Sequence, residues 1–112
     1  MSIKIPVKPL SVNECWQGRR FKTDEYKAYE KKLLYMLPKI QLPAPPFYVE
    51  YTFGVSNMAS DLDNPVKPIT DILQKKYGFN DSRIHKMVIG KMKVEKGKEY
   101  IEFSITHYLG EI

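Results

Sequence analysis

The sequence predicts one α+β domain in which a mixed β-sheet carries two main helices and ends in a C-terminal β-hairpin. Its 112 residues are enough for a single domain. Apolar residues alternate at period two in several segments, which is typical of strands, and recur every 3.6 residues in two others, which is typical of helices. The predicted order is strand, helix, strand, helix, hairpin, as expected when helices pack on one sheet.

The first predicted element is a strand over residues 2–7. Its apolar residues alternate with polar ones, and they are Ile3, Ile5 and Val7. Pro6 has no amide donor, so we expect this strand at a sheet edge or a strand end. Residues 8–22 have no clean period and predict an ordered loop with an extended piece near its end.

An amphipathic helix follows, and both of its ends are marked. Thr23 can cap it, and acidic residues in the first turn suit the helix dipole. Pro38 stops it. Its buried stripe is predicted to comprise Tyr26, Tyr29, Leu33 and Leu37. The four prolines of residues 38–46 then predict a stiff connection rather than a domain boundary.

The second half of the chain predicts a strand, a helix and the hairpin. Residues 47–53 alternate, and Gly54 is expected to close that strand. Asn64 as cap and Pro65 as first residue predict a helix start, and Gly78 predicts its stop. The buried stripe of this helix is expected to contain Val66, Ile69, Leu73 and Tyr77. Two strand-like runs, residues 83–94 and 99–108, flank the turn that predicts the hairpin.

Charge and cysteine content narrow the function classes. Eighteen basic and thirteen acidic side chains give a net charge of +5, which favours anionic partners. A single cysteine excludes an internal disulfide, and two distant histidines do not make a zinc ligand set. No apolar run is long enough for a leader or a membrane span. We therefore expect an intracellular, cytoplasmic protein with no membrane partner.

Residues 61–81 form an acidic segment within this basic chain, with four aspartates: Asp61, Asp63, Asp71 and Asp81. Asp61 and Asp63 are two residues apart and can face one cation ahead of the helix. Lys67 and Asp71 are four apart, which puts them on one helical face away from the apolar stripe. Carboxylates that retain Mg²⁺ beside an ammonium are the groups that phosphodiester hydrolysis needs. Asp81 would be a third ligand from another element.

A purely structural explanation of the same residues stays open at this point. Asp and Asn ahead of a helix are most often caps and turn formers. Lys67 can pair with Asp63 or Asp71 on a solvated face. A calcium loop is excluded, because Val66 and Ile72 stand where that loop needs Gly and Glu.

The acidic segment resembles the signature of the RusA family of Holliday junction resolvases. The likeness rests on the string DLDNPVKPITDIL at residues 61–73 and on the later pair Asn80-Asp81. Residues 9–13, Trp16 and residues 18–20 are similar to the N-terminal part of that family. The resemblance implies one RusA-like domain over residues 1–112. It also implies a Mg²⁺-dependent homodimer that cuts four-way DNA junctions by paired nicks in recombination and repair. Whether Mn²⁺ can replace Mg²⁺ stays open on the sequence.

The resemblance also implies roles for individual residues. Asp61, Asp63 and Asp81 would bind the metal, and Lys67 would assist at the scissile phosphate. Asp71 and Asn64 would support the metal ligands without touching the ion. The candidates for DNA contact are Asn13, Arg19, Arg20 and Arg83.

Two other functions stay open on the sequence. A basic, non-catalytic DNA-binding protein would use the aspartates only as caps and turns. A structure-selective nuclease that prefers flaps or forks would share the metal site. The sequence also leaves open whether a cellular or a phage genome encodes the chain.

Overall fold

The computed structural model describes residues 2–18 and 21–110, which form one α+β domain. Its strands are β1 (Ile3–Ile5), β2 (Trp16–Gln17), β3 (Phe21–Lys22), β4 (Phe47–Val55), β5 (Ile84–Lys93) and β6 (Tyr100–His107). Its helices are α1 (Asp24–Met36) and α2 (Val66–Tyr77), and the turns Val12–Glu14 and Asp81–Arg83 are 3-10 helical. Neither helix in this part of the chain has the length and apolar composition needed to cross a bilayer.

The four-stranded sheet has the order β1-β6-β4-β5. β4 pairs in parallel with β5 and antiparallel with β6, so the predicted mixed sheet is confirmed. β1 lies at one edge and ends before Pro6, as expected, although it is shorter than predicted. The parallel pair requires a crossover, and α2 supplies it between β4 and β5.

The predicted C-terminal hairpin is wrong, because β4 lies between β5 and β6. Residues 94–99 cross the end of β4, where the Val94 amide donates to the Val55 carbonyl over 2.9 Å. Strands two positions apart in a sheet are separated by about 10 Å, which a few extended residues can span. A short connection is therefore compatible with a hairpin and also with two strands that lie on either side of a third. The sequence of the connection does not indicate which of the two arrangements is present.

β4 runs through Gly54 to Val55, so the expected stop at that glycine is also wrong. Gly54 pairs with Tyr100 of β6, and a side chain on Gly54 would collide with the Tyr100 ring. The glycine makes room for the aromatic ring of the neighbouring strand. In the sequence alone, a glycine needed for such close packing cannot be distinguished from a glycine that ends a strand.

The start of α2 also differs from the prediction. The helix begins at Val66, Pro65 is the cap residue, and no side chain caps the helix. Asn64 is therefore not the cap. The Asp63 carbonyl instead accepts the Val66 amide over 3.0 Å, and the Asp61 carbonyl accepts the Asn64 amide over 3.3 Å. A backbone turn already satisfies these amides, which removes the need for a capping side chain.

Both helices pack on one face of the sheet around one core. The predicted start of α1 is confirmed, because the Thr23 side chain accepts the Tyr26 amide over 3.1 Å. Gly78 ends α2 with a φ of 72°, as expected. All four predicted α1 positions are buried, whereas the stripe of α2 centres on Ile69, Ile72 and Leu73. The inward face of β4 comprises Phe47, Val49, Tyr51 and Phe53.

Candidate functional site

An open cleft of about 500 Å³ lies between α2 and the first half of β5. Three of the predicted site residues line it: Asp63, Lys67 and Asp81. They come from three successive pieces of chain, namely the loop before α2, the first turn of α2 and the 3-10 turn after α2. The remaining lining residues are Val66, Thr70, Ile84, His85, Lys86 and Met87.

Lys67 supplies a fixed cation on the helix wall of the cleft. Its Nζ atom lies 2.8 Å from Oδ1 of Asp71, one turn further along α2. This hydrogen bond raises the pKa of Lys67 above the ordinary lysine value, and the charges of Asp71 and Asp81 act in the same direction. Lys67 is therefore an ammonium at neutral pH. The predicted sharing of one helical face by Lys67 and Asp71 is confirmed.

Asp71 is half-buried, one turn along α2 from Lys67. Besides Lys67, it accepts a 3.3 Å hydrogen bond from Nε2 of Gln74. Its charge also acts on the buried Cys15 thiol: burial, then the charge of Glu14 and then that of Asp71 together raise the pKa of this thiol to about 11. The Asp71 carboxylate is thus held by two donors, in keeping with a supporting role.

The loop of residues 56–65 carries Asp63 and is held by contacts from distant parts of the chain. Nζ of Lys91, on β5, donates to the carbonyls of Met58 and Ser60 over 2.8 and 2.7 Å. The Val12 amide donates to the Asn64 carbonyl over 2.9 Å. Sequence reasoning missed this function of Lys91, because nothing local to residue 91 indicates a contact more than thirty positions away.

Asp61 and Asn64 do not line the cleft in which Asp63 lies. Asp61 and Asp63 were expected to face one cation from a strand-like or turn backbone; residues 62–65 form turns, and of the two aspartates Asp63 lines the cleft. Asn64 lines a separate pocket of about 180 Å³. Within residues 2–18 and 21–110, no cluster of three or more metal-binding side chains is present.

The donor chemistry of the cleft nevertheless suits a hard cation. Magnesium is commonly held by one or two carboxylates, with water and substrate phosphate completing its shell. Asp63 and Asp81 provide two such carboxylates on one surface. In the part of the chain that the structure describes, neither carboxylate makes a hydrogen bond or ion pair, so both keep their oxygens available. Asp61 stays a predicted third ligand.

The β5 wall adds Lys86 and also His85, to which the sequence assigned no role. In the β4–β5 ladder Ile84 pairs with Phe47 and Lys86 with Tyr48, so His85 is an additional residue at an irregularity. Such bulges re-aim side chains and are frequent beside active sites. His85 lines the cleft with Lys86. A bulge depends on two strands meeting, so one strand's sequence does not reveal it.

The four candidates for DNA contact lie in different parts of the chain. Arg83 is exposed and lies two residues after Asp81, in the same 3-10 turn. Asn13 is exposed in the other 3-10 turn, which contacts α2. Arg19 and Arg20 lie outside the described residues.

The cleft thus gathers two carboxylates, an ammonium, an imidazole and a second lysine on a chain with a net charge of +5. These groups suit an anionic substrate and a divalent cation. The chain matches no known protein-family model, and no curated protein sequence matches it at a significant level.

Proposed function

We propose that this protein is a Mg²⁺-dependent endonuclease of the RusA type that resolves four-way DNA junctions by paired nicks. The observation that carries the proposal is the common cleft of Asp63, Lys67 and Asp81. The DxDN string, with a lysine and a later aspartate, predicted that these residues act together, and their shared surface supports that prediction.

The side chains of the cleft divide the work of phosphodiester hydrolysis between them. Asp63 and Asp81 would hold the ion, with Asp61 as the further predicted ligand. Bound Mg²⁺ supplies charge neutralisation at the phosphate and an activated water. Lys67 acts as a fixed positive charge rather than a base, because its raised pKa keeps it protonated.

The exposed basic groups around the cleft would hold the DNA backbone. Arg83, His85 and Lys86 lie beside or within the cleft. Contacts with phosphates give affinity without sequence preference and weaken steeply as salt rises. One cleft per chain gives one nick, so resolution of a two-fold junction calls for a homodimer.

The alternative of a non-catalytic DNA-binding protein requires the aspartates to be caps and turn formers. No side chain caps α2, and the turn Asp81–Arg83 is capped by Asn80, whose Oδ1 accepts the Ser82 amide over 2.8 Å. The carboxylates of Asp63 and Asp81 therefore have no capping function, which favours a role toward a ligand.

Cleavage of a synthetic four-way junction tests the proposal. Asp63→Asn and Asp81→Asn should each reduce Mg²⁺-dependent nicking by more than about 100-fold, beyond the usual cost of losing a merely supporting group. Junction binding should persist, because the phosphate contacts remain. Asp24→Asn, an exposed aspartate on α1, is the matched control and should cleave normally.

Full activity in both cleft variants would refute the metal site. Cleavage of flaps or forks in preference to junctions, measured on the same wild-type protein, would instead assign the site to a structure-selective nuclease.

A further inference from the structure

Gln74 on α2 uses both ends of its side-chain amide, and two of its three hydrogen-bond partners, Thr70 and Asp81, line the cleft. Its Oε1 atom accepts the backbone amide of Asp81 over 2.8 Å. Its Nε2 atom donates to Oδ1 of Asp71 and to the carbonyl of Thr70, each over 3.3 Å. One half-buried side chain therefore joins the Lys67–Asp71 pair to Asp81, in the 3-10 turn after the helix.

Among the hydrogen bonds of the described residues, the one from the Asp81 amide to Gln74 ties the turn Asp81–Arg83 back to α2. Within this turn the Ser82 amide donates to the Asn80 side chain over 2.8 Å. The Arg83 amide donates to the Asn80 carbonyl over 3.0 Å. These two bonds fix the shape of the turn but not its position relative to α2. The hydrogen bond from the Asp81 amide to Gln74 restrains that position.

A restraint on the Asp81 amide is also a restraint on its carboxylate. The amide and the side chain share one Cα atom, so a fixed amide limits the directions that the side chain can take. Hydrogen bonds link the groups in sequence from Lys67 through Asp71 and Gln74 to Asp81. Groups that orient a metal ligand without touching the ion commonly affect metal affinity by about 10- to 100-fold, and here the restraint acts through the backbone of Asp81.

We propose that Gln74 is a positioning residue that holds Asp81 in register with the Lys67–Asp71 pair, so that the metal ligand and the ammonium face one phosphate. This inference rests on the proposed nuclease function. It also gives Asp71 a physical role, because its carboxylate holds both the Lys67 ammonium and the Gln74 donor.

Two substitutions at position 74 separate the two ends of the amide. Gln74→Met has a similar length and makes neither bond. Gln74→Glu keeps an acceptor for the Asp81 amide but loses the donor to Asp71. Gln41→Met, at an exposed site in the proline-rich connection, is the matched control.

Hydrogen exchange of the Asp81 amide in the metal-free protein is the first readout. Loss of one hydrogen bond of ordinary strength in Gln74→Met should speed exchange about 5-fold or more. Gln74→Glu and Gln41→Met should retain slow exchange. This readout does not depend on activity, and an unchanged melting temperature in each variant would show that the domain remains folded.

Junction cleavage as a function of Mg²⁺ concentration is the second readout. Gln74→Met should need about 10- to 100-fold more Mg²⁺ for half-maximal cleavage, with the KM for the junction nearly unchanged. Wild-type cleavage together with an unchanged Mg²⁺ requirement in Gln74→Met would overturn the inference alone. A wild-type protein that does not cleave would overturn the proposed function itself.

Discussion

The two acidic sides of the cleft are attached to the fold in different ways. Asp81 lies in the 3-10 turn shortly after α2, and its backbone amide is held by Gln74, seven residues earlier. Asp63 lies in the loop before α2, and that loop is held by Lys91 on β5. The first attachment is local in sequence and the second is remote, although both carboxylates reach one cleft. A site can thus combine a part that its own segment organises with a part that the rest of the fold must bring into place.

Lys67 lies on α2, on the side of the cleft that contacts close in sequence organise. Its removal should have the largest effect on cleavage. Lys67→Met removes the cleft's paired ammonium and should slow junction nicking by about 100- to 1,000-fold, the usual cost of losing one group that stabilises transition-state charge. Single-turnover cleavage at saturating protein measures it. Lys27→Met, on the exposed side of α1, should match the wild type. Equal rates for the two variants would place the catalytic charge elsewhere.

Lys91 probes the remote side. Lys91→Met leaves two carbonyls of the loop without their charged donor, and a hydrogen bond to a charged group contributes about 1.5–3 kcal/mol. The melting temperature should fall by several degrees, and the Mg²⁺ requirement should rise about 10-fold or more because Asp63 is less well held. Lys93→Met, two residues along the same strand and exposed, is the control. A normal Mg²⁺ requirement in Lys91→Met would show that the loop is organised locally after all.

The smallest effect is expected when Asp71 loses its charge and Lys67 is left unchanged. The raised pKa of Lys67 means that the pair stabilises the fold below the ordinary pKa of lysine, and that this contribution disappears as pH rises through the raised value. Asp71→Asn should return the pKa of Lys67 toward the ordinary value while changing stability at neutral pH by only about a few tenths of a kcal/mol. NMR titration of the Lys67 side chain checks it. An unshifted pKa in the variant would contradict the assigned cause.

The same division between local and remote contacts explains what the sequence could predict. The start of α1 at Thr23, its end near Pro38 and the stop of α2 at Gly78 depend on neighbouring residues, and these predictions are confirmed. Gly54 and the hairpin were misread because Tyr100 and β4 decide them from a distance.

In the site, Lys67 and Asp71 share one helical face because they are four residues apart. Gln74 continues that face, three residues after Asp71. Lys91 and the bulge at His85 depend on strand pairing, so no local pattern indicates them. Asn64 was misread as a cap because the turn ahead of α2 provides backbone acceptors that a capping motif does not show.

Paramagnetic broadening by Mn²⁺ tests most directly whether the two sides form one metal site. In the wild-type protein labelled with ¹⁵N, the amides of Asp63 and Asp81 should broaden together at the same low Mn²⁺ concentration. Asp81→Asn should abolish the broadening at Asp63 as well as at residue 81, because Asp63 and Asp81 would hold the same ion. Broadening at Asp63 that survives in Asp81→Asn at the same Mn²⁺ concentration would contradict a shared site.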